Sequence, residues 1–284
     1  MSLRRLVAYG LLAAACVAPA ALGAGGAESG QSAQPGSRLQ MAMTLYAGGI
    51  TLGKLDMDAT IRGSDYHLVA NLETGGMVNA LWQAEIQATS SGKIAGNGLE
   101  PALYDSFNTQ RSKKQQVSLT YENGNPRLYA DPVYSTTGYE VKPDEKKDTL
   151  DPLSAVMYIV SGLGADAANP CGVTAHVFDG RRRYDVELTK VKDTQVDMDN
   201  GLYKGHALLC EIKYKQLAGF RPKLLKGGDS FPAIYAWIAT FPSSVTGRSY
   251  TVPLRVWAKT SYGVIAAVAT SLKVDGVTPK SPGG

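Results

Sequence analysis

The residues of this chain that could do chemistry are concentrated around two cysteines. Cys171 and Cys210 flank its most charged stretch, and Cys16 lies near the start. Two thiols at this separation predict a disulfide in an oxidising compartment, with two buried free thiols as the alternative. A redox-catalytic pair is disfavoured, because the close Cys-x-x-Cys spacing that lowers the pKa of a thiol is absent.

Between these cysteines, three consecutive arginines, Arg181, Arg182 and Arg183, follow an Asp-Gly turn. A strand that starts there sends Arg181 and Arg183 to one face and Arg182 to the other. Such a cluster can hold a phosphate or carboxylate head group. The structural alternative is a rigid corner in which the arginines bind Asp179, Asp185 and nearby carbonyls, and the two interpretations can apply to different arginines.

Other kinds of site have little support in the sequence. His67, His176 and His206 lie in separate strand patterns without a second metal ligand at a suitable spacing. Asp56 and Asp58 share a strand face, which is typical of a solvated face rather than of a catalytic acid pair. The chain has neither a Gly-x-Ser-x-Gly elbow nor a glycine-rich phosphate loop. We therefore predict no catalytic residue, no metal, no cofactor and no enzymatic activity.

The first 23 residues have the pattern of a signal peptide. Arg4 and Arg5 precede a short apolar run and a series of small residues, which predicts export to the periplasm. Lipidation of Cys16 is the alternative. The run is too short for a transmembrane helix, so membrane contact should be peripheral at most. Removing both arginines lowers the formal net charge from +4 to +2, too little to indicate a nucleic-acid partner.

The rest of the chain predicts one all-β domain, mainly antiparallel. Apolar residues alternate with polar or small ones in many short runs that end in turn residues. About a dozen such strands usually curl into a coiled, partly open barrel. We predict a disordered arm at 24–38, a single barrel-like domain at 39–276 and a disordered tail at 277–284.

Several local signals refine this barrel. The apolar parity switches near Gly53, which requires a bulge or a bend, and Pro253 restricts its strand to an edge or a bulge. One short helix is predicted at 75–82. A second, at 151–160, begins with an acidic cap and a proline and should plug or cover the curved sheet.

One strand has apolar residues on both faces. Tyr235 and Trp237 share one face, and Ala236 and Ile238 share the other, so we expect core on one side and a cavity or partner on the other. The alternative is a central strand covered by the 151–160 helix. If a ligand binds, Tyr235, Trp237 and Met157 are the candidates for contact with its apolar part.

Several short motifs follow one another in a fixed order along the chain: GGITLGK at 48–54, EPALY at 100–104, DPLSA at 151–155, PC at 170–171 and FDGRRRY at 178–184. This order resembles the domain of unknown function 3108 family of exported bacterial envelope proteins. The resemblance covers most of the mature chain. It implies a coiled antiparallel sheet similar to the half-open barrel of periplasmic lipoprotein carriers, with no established enzymatic activity.

The sequence thus favours a non-catalytic periplasmic protein that binds an apolar or amphipathic, lipid-like molecule. Arg181, Arg182 and Arg183 are expected to contact its head group, and Met157, Tyr235 and Trp237 its apolar part. The alternative is an envelope-integrity scaffold with a filled core that binds another envelope protein or peptidoglycan.

Overall fold

A computed structural model describes residues 36–75, 85–110, 113–166, 168–221, 232–261 and 263–279 of the protein. It contains thirteen strands and two short helices over these residues. The strands are β1 Ser37–Ala47, β2 Ile50–Arg62, β3 Asp65–Thr74, β4 Glu85–Ala95, β5 Gly98–Gln110, β6 Lys113–Glu122, β7 Asn125–Asp131, β8 Val173–Phe178, β9 Arg183–Asp197, β10 Lys204–Ala218, β11 Ile234–Pro242, β12 Ser249–Thr260 and β13 Gly263–Val274. The helices are α1 Pro143–Lys146 and α2 Pro152–Val160.

All thirteen strands form one antiparallel sheet in the order β7-β6-β5-β4-β3-β2-β1-β13-β12-β11-β10-β9-β8. Strands that are consecutive in sequence pair with each other, except β7 with β8, and the first strand also pairs with the last. The edges β7 and β8 do not pair, so the barrel is open. This confirms the predicted all-β, partly open barrel.

Some predictions fall partly or wholly outside the described residues. They are the signal peptide at 1–23, Cys16, most of the arm at 24–38, the helix at 75–82 and the last residues of the tail. The first strand begins at Ser37, two positions before the start predicted for the domain.

Alternation along the strands builds the core. In β3, for example, Tyr66, Leu68 and Ala70 are buried while their neighbours are half-buried or exposed. The main cluster combines such side chains from both halves of the sheet, including Leu39 and Met41 of the central strand β1. Removal of this apolar surface from water is the principal stabilising term.

Helix α2 plugs this core, as predicted. The Asp151 carboxylate caps its N-terminus by accepting hydrogen bonds from the backbone N–H groups of Leu153 (3.0 Å) and Ser154 (2.8 Å). Met157 and Val160 then pack into the main cluster. The helix thereby fills space that an empty barrel would leave for a ligand.

The predicted disulfide between Cys171 and Cys210 is confirmed. Cys171 precedes β8 and Cys210 lies in β10, so the bond spans the intervening strand β9. Neither cysteine has exposed surface. They pack with Val173, Leu188, Leu208, Ala236 and Ile238 in a second core cluster.

Two register shifts between paired strands occur where the sequence predicted a bulge, near Gly53 and at Pro253. Leu45 pairs with Gly53 and Tyr46 with Thr51, which leaves Leu52 as an extra residue at the predicted parity switch. Trp237 pairs with Arg255 and Ile238 with Pro253, so the proline lies at a bulge within the central strand β12.

Candidate functional site

The arginine run lies at the tight turn between β8 and β9. Oδ1 of Asp179 accepts hydrogen bonds from the backbone N–H groups of Arg181 (2.9 Å) and Arg182 (2.6 Å). Gly180 has a φ of +89°, and a Cβ there would lie 2.8 Å from Cγ1 of Val117. The turn, hereafter the corner (179–182), therefore packs directly against the opposite half of the sheet.

Arg183 has a structural role, since it binds a neighbouring carboxylate and a backbone carbonyl group. Its Nη1 donates to Oδ1 of Asp185 at 2.6 Å and to the carbonyl oxygen of Tyr184 at 2.7 Å. The two charged side chains of this pair are each only 13% exposed. His176 also approaches the same carboxylate oxygen at 2.7 Å, and these interactions fix the start of β9.

Arg181 and Arg182 are held differently. Cζ of Arg181 lies 5.6 Å from the ring centroid of Tyr134, and Cζ of Arg182 lies 5.5 Å from that of Phe220. Among the described residues, no carboxylate forms a salt bridge with either guanidinium group. Nε of Arg181 is buried and has no hydrogen-bond partner there. The two cations thus keep donors that a ligand can use.

The carboxyl group of Asp179 balances only part of this charge. Burial raises the pKa of Asp179 above its usual value, and hydrogen bonds and the charges of Arg181 and Arg182 oppose that rise. The local positive charge therefore exceeds the negative charge of the one carboxylate inside the corner.

Two cavities meet at Arg181 and Tyr134. The corner cavity, of about 210 Å³, is lined by Ile86, Tyr104, Ser106, Asn108, Gln115, Val117, Tyr134, Asp179, Arg181 and Arg182. The edge groove, of about 420 Å³, is lined by Leu128, Tyr129, Ala130, Val133, Tyr134, Thr136, Glu140, Val141, Lys146, Phe178, Gly180 and Arg181. The corner cavity has polar and apolar surface in about equal parts, the edge groove is mostly apolar, and Arg181 borders both.

The residues that follow β10 pack against the backbone of the corner. Gly219 has a φ of +79°, and a Cβ there would collide with the carbonyl oxygen of Arg181 and lie 2.8 Å from Cα of Arg182. This close approach places the next residue, Phe220, under the Arg182 guanidinium.

Gly219→Ala should therefore lower the free energy of unfolding by more than about 2 kcal/mol, because backbone strain and a backbone collision add. Gly201→Ala is the matched control, since Gly201 also has a positive φ (+72°) but its Cβ would meet nothing within 4 Å. The control should cost about 1 kcal/mol. Urea denaturation of both variants measures the difference, and equal losses would contradict the close approach.

A buried polar cluster lies next to the helix cap. Ser90 donates to Oδ2 of Asp151 at 3.1 Å, Ser154 binds the same oxygen, and the hydroxyl groups of Tyr66 and Ser154 are 2.6 Å apart. Burial raises the pKa of Asp151 to about 6. None of these four side chains is more than 2% exposed, so the cluster stabilises the helix plug rather than meeting a substrate.

A third cavity, of about 570 Å³, lies beside the loop that leads into α2. Its lining includes Tyr121, Asn123, Asp148 and Thr149. The Tyr121 hydroxyl is buried and has no hydrogen-bond partner among the described residues. It is larger than the corner cavity and the edge groove, and it shares no lining residue with either.

The predicted apolar contacts lie away from the corner. Met157 has no exposed surface. Trp237 packs 5.2 Å from Trp257 and Tyr235 packs 6.0 Å from the same ring, with Arg255 stacked on both tryptophans. None of the three predicted residues lines the corner cavity or the edge groove. Their contact with a ligand stays a prediction.

Sequence reasoning missed the aromatic partners of the arginines. Tyr134 comes from the long connection between β7 and β8, and Phe220 comes from the end of β10. The signals available were weak: a tyrosine in a loop, and a glycine before an aromatic residue at a strand end. Asp151 was recognised as a cap, but its burial in a hydroxyl cluster depends on strands β3 and β4.

Asp58, one of the two carboxylates that share a strand face, forms a salt bridge with Arg38. Nε of Arg38 donates to Oδ1 of Asp58 at 2.8 Å, and this hydrogen bond lowers the pKa of Asp58. Over the described residues, no three histidine, cysteine or carboxylate side chains are grouped to hold a metal ion. No helix in that part of the chain has the length and apolar character needed to cross a membrane.

The fold is that of an incomplete antiparallel β-barrel plugged by one helix. Residues 40–270 match the family described as "Protein of unknown function (DUF3108)", and the chain belongs to this family. A solved structure, the "Beta-barrel-like Protein of Domain of Unknown Function DUF1849 from Brucella abortus", is similar with a TM-score of 0.48 and 13% identity, covering 85% of this chain and 98% of that one. No curated protein sequence matches the chain.

Proposed function

We propose that this protein is a non-catalytic periplasmic protein that binds an amphipathic envelope molecule with an anionic head group. The observation that carries the proposal is the pair of guanidinium groups of Arg181 and Arg182, which both line the corner cavity, with Arg181 also bordering the mostly apolar edge groove. Neither has a salt-bridge partner among the described residues.

The head group belongs at the corner for electrostatic reasons. A half-buried cation without an anionic partner pays a desolvation penalty that an incoming anion offsets. Arginine also offers a planar fork of donors that matches the oxygens of carboxylate and phosphate groups. Arg181 and Arg182 are therefore the head-group residues of this proposal, and Arg183 supports the turn.

The apolar part of the ligand fits the edge groove. Three side chains near it are exposed although they are apolar: Leu128 at 41%, Tyr129 at 56% and Val133 at 85%. They belong to or follow β7, which is an edge strand of the sheet. A contiguous exposed apolar surface beside a charged rim is typical of a ligand or partner site.

Two features support a periplasmic location, one from the sequence and one from the structure. The signal-like first 23 residues favour export, and a buried disulfide is typical of proteins in oxidising compartments. Both fit a role in the cell envelope, where amphipathic anions are abundant components of the membranes.

A scaffold that binds another envelope protein or peptidoglycan is the second candidate. The cluster of Tyr235, Trp237, Trp257 and Arg255 favours it, because aromatic and arginine side chains are enriched at protein interfaces. Tyr235 and Trp237 lie on the opposite face of β11 from Ala236, which packs in the disulfide cluster, and they pair with Trp257 and Arg255 of β12.

Native mass spectrometry of the protein purified from its own periplasm, followed by organic extraction, tests the proposal. The wild type should carry a stoichiometric amphipathic anion. The double variant Arg181→Gln/Arg182→Gln should lose at least about 90% of it, because two charge-assisted contacts are removed, while its melting temperature stays nearly unchanged.

Arg183→Gln is the matched control from the same run. It breaks a part-buried pair with Asp185 and should lower the melting temperature while the ligand is retained. An apo wild type at the mature mass contradicts amphiphile binding and favours the scaffold. Equal ligand retention by the double variant and the wild type contradicts the head-group site.

A further inference from the structure

The hairpin of β6 and β7 fixes which backbone groups of β7 point at its neighbour. The chain turns at Asn123 and Gly124, whose φ values are +50° and +75°. Glu122 and Asn125 therefore close a two-residue hairpin as a hydrogen-bonded pair. Hydrogen-bonded pairs alternate with non-hydrogen-bonded pairs along an antiparallel ladder. Every second residue of β7, starting from Asn125, thus directs its backbone groups at β6.

The residues between them direct their backbone groups away from the sheet. They are Pro126, Leu128 and Ala130, because the register of this pair has no shift. Pro126 has no N–H group and lies where the ladder needs none, as is usual for a proline in an edge strand. Over the described residues, no hydrogen bond from another segment reaches the backbone of Leu128 or Ala130. This edge therefore keeps free N–H and C=O groups.

The other edge of the barrel is already paired. Leu150 forms a parallel bridge with Val177 of β8. Its N–H group donates to the carbonyl oxygen of His176 at 2.8 Å, and its carbonyl oxygen accepts from the N–H group of Phe178 at 2.9 Å. An added strand therefore finds free partners at β7 rather than at this part of β8.

The edge groove borders the free backbone groups of β7. After β7 the chain returns to the start of that strand, where the N–H group of Asp148 donates to the carbonyl oxygen of Gly124 at 2.9 Å. Leu128 and Ala130 line the groove from the strand. The returning segment lines it through Val133, Tyr134, Thr136, Glu140, Val141 and Lys146. The groove of about 420 Å³ thus occupies the place of a missing neighbour strand.

An extended peptide matches this wall better than a hydrocarbon chain does. At every second residue it presents an N–H and a C=O group to the same edge, with the spacing of the strand that it joins. Its side chains alternate between two faces. One face would meet Leu128 and Phe178, which line the groove. A hydrocarbon chain offers no partner to the backbone groups, so a strand with alternating apolar and polar residues fits best.

The charges at the groove favour a peptide with a carboxylate. Arg181 and Lys146 both line it, and among the described residues neither forms a salt bridge. Glu140 lines it too, but both of its carboxylate oxygens accept from the N–H group of Gly138, at 3.1 Å and 3.0 Å. These hydrogen bonds hold Glu140 in its own turn, so the groove can accept a further carboxylate.

The length of the free edge favours the end of a chain. Pro126 and Pro132 lack an N–H group and bound the free stretch on both sides, so only a few residues of a partner can pair. A chain end enters the groove from one side only, whereas an internal segment must leave it again past the corner. A C-terminal end also brings its own carboxylate.

We propose that the ligand is the C-terminal end of an unfolded polypeptide, added as a strand to β7 with its carboxylate at Arg181. This rests on the proposed function and specifies its ligand class, because a chain end with alternating apolar residues is an amphipathic anion. The backbone of Leu128 and Ala130 supplies the pairing, and the edge groove holds the apolar side chains.

Isothermal titration with acetyl-Ser-Thr-Thr-Leu-Thr-Val tests the pairing. Two further versions of this peptide are N-methylated at every second residue, one in each phase. One phase should lose at least about tenfold in affinity, because it blocks the hydrogen bonds to Leu128 and Ala130. The other phase should bind within about threefold of the parent peptide, since its methyl groups point away from β7. Equal affinities of the two methylated peptides contradict pairing along one edge.

Two proline variants test the same assignment on the protein. Ala130→Pro removes an outward N–H group and should lower the affinity for the parent peptide at least about tenfold. Its melting temperature should stay within about 2 °C of the wild type. Tyr129→Pro removes an N–H group directed at β6 and should lower the melting temperature by more than about 3 °C. Equal melting temperatures of the two variants contradict the outward position of Ala130.

The C-terminal amide of the same peptide tests the carboxylate. It should bind the wild type about tenfold more weakly than the free acid, because a charge-assisted contact is lost. In Arg181→Gln the acid and the amide should bind equally. Arg248→Gln, which changes an exposed arginine in the turn between β11 and β12, is the matched control and should keep the difference. Equal binding of acid and amide by the wild type contradicts a chain end at Arg181.

Dodecanoate separates this inference from the proposed function. If dodecanoate binds and the peptide does not, the peptide assignment is overturned and amphiphile binding stands. Binding of neither contradicts the proposed function itself. A dimer in analytical ultracentrifugation that Ala130→Pro converts to a monomer assigns the edge to a second copy of the chain, which also overturns the peptide assignment.

Discussion

Replacing Cys171 and Cys210 together by alanine is expected to lower the free energy of unfolding by about 4 kcal/mol. On the chain-entropy model, a bond that closes a loop of this size restricts the unfolded chain by that amount. The two cysteines are separated by 39 positions and have no exposed surface. Urea denaturation under oxidising conditions measures the change, and the alanine pair avoids leaving a buried free thiol.

A reductant gives the matched control. In the wild type it should shift the unfolding midpoint towards that of the alanine pair, and in the alanine pair it should have no effect. The physical reason is that the bond joins the edge region before β8 to β10 across β9, so its loss lets the edge of the open barrel separate. A wild-type midpoint that is the same with and without reductant would refute this contribution.

Asp151→Ala should lower the free energy of unfolding by about 3 kcal/mol. The carboxylate caps α2 through two backbone N–H groups, and a lost cap costs about 1–2 kcal/mol. The hydroxyl groups of Ser90 and Ser154 also lose their acceptor in a site from which water is excluded, which adds a desolvation penalty of about 1–3 kcal/mol. Chemical denaturation at pH 7 gives the value.

The pH dependence of the same residue has a definite sign. Burial raises the pKa of Asp151 in the folded protein to about 6, above the ordinary value of 3.8 for an aspartate side chain. The folded state therefore binds the proton more tightly than the unfolded state. Between pH 6 and pH 4 this residue should add up to about 1.4 kcal/mol of stability for each unit by which the pH falls.

Asp151→Asn isolates this effect. Asparagine keeps an oxygen for the two backbone N–H groups but does not titrate. The stability difference between wild type and variant should therefore move in favour of the wild type as the pH falls from 6 to 4. Subtracting the variant removes the opposite contributions of Asp58, Asp185, Asp193 and Asp275, whose pKa values are lowered in the fold. A constant difference across this range would contradict a raised pKa for Asp151.

Much of the fold was predictable from local patterns. The alternation of Tyr66, Leu68 and Ala70, with a turn at Gly63 and Ser64, encodes a strand and a hairpin within a few residues. Such signals involve residues only a few positions apart, so the sequence alone is enough to recognise them. The parity switch that leaves Leu52 unpaired and the bulge at Pro253 are of the same kind.

The candidate site was predictable only in part. The arginine run and its turn are local, so the sequence located the corner but left open which arginine had which role. Arg183 reaches Asp185 on its own strand. The surroundings of Arg181 and Arg182 come from Tyr134 and Phe220, tens of positions away on both sides. No spacing rule connects those residues, because only the folded sheet brings them together.

The sequence by itself determined the class of fold, the capped helix α2, the disulfide and the family, since each depends on short-range periodicity, on capping chemistry or on a small number of cysteines. The tertiary structure decided which arginines keep unpaired donors, that Met157 is buried and that Asp151 lies in a hydroxyl cluster. These depend on which strands face each other across the open barrel. That arrangement is set by the packing of all thirteen strands around α2 rather than by any one segment.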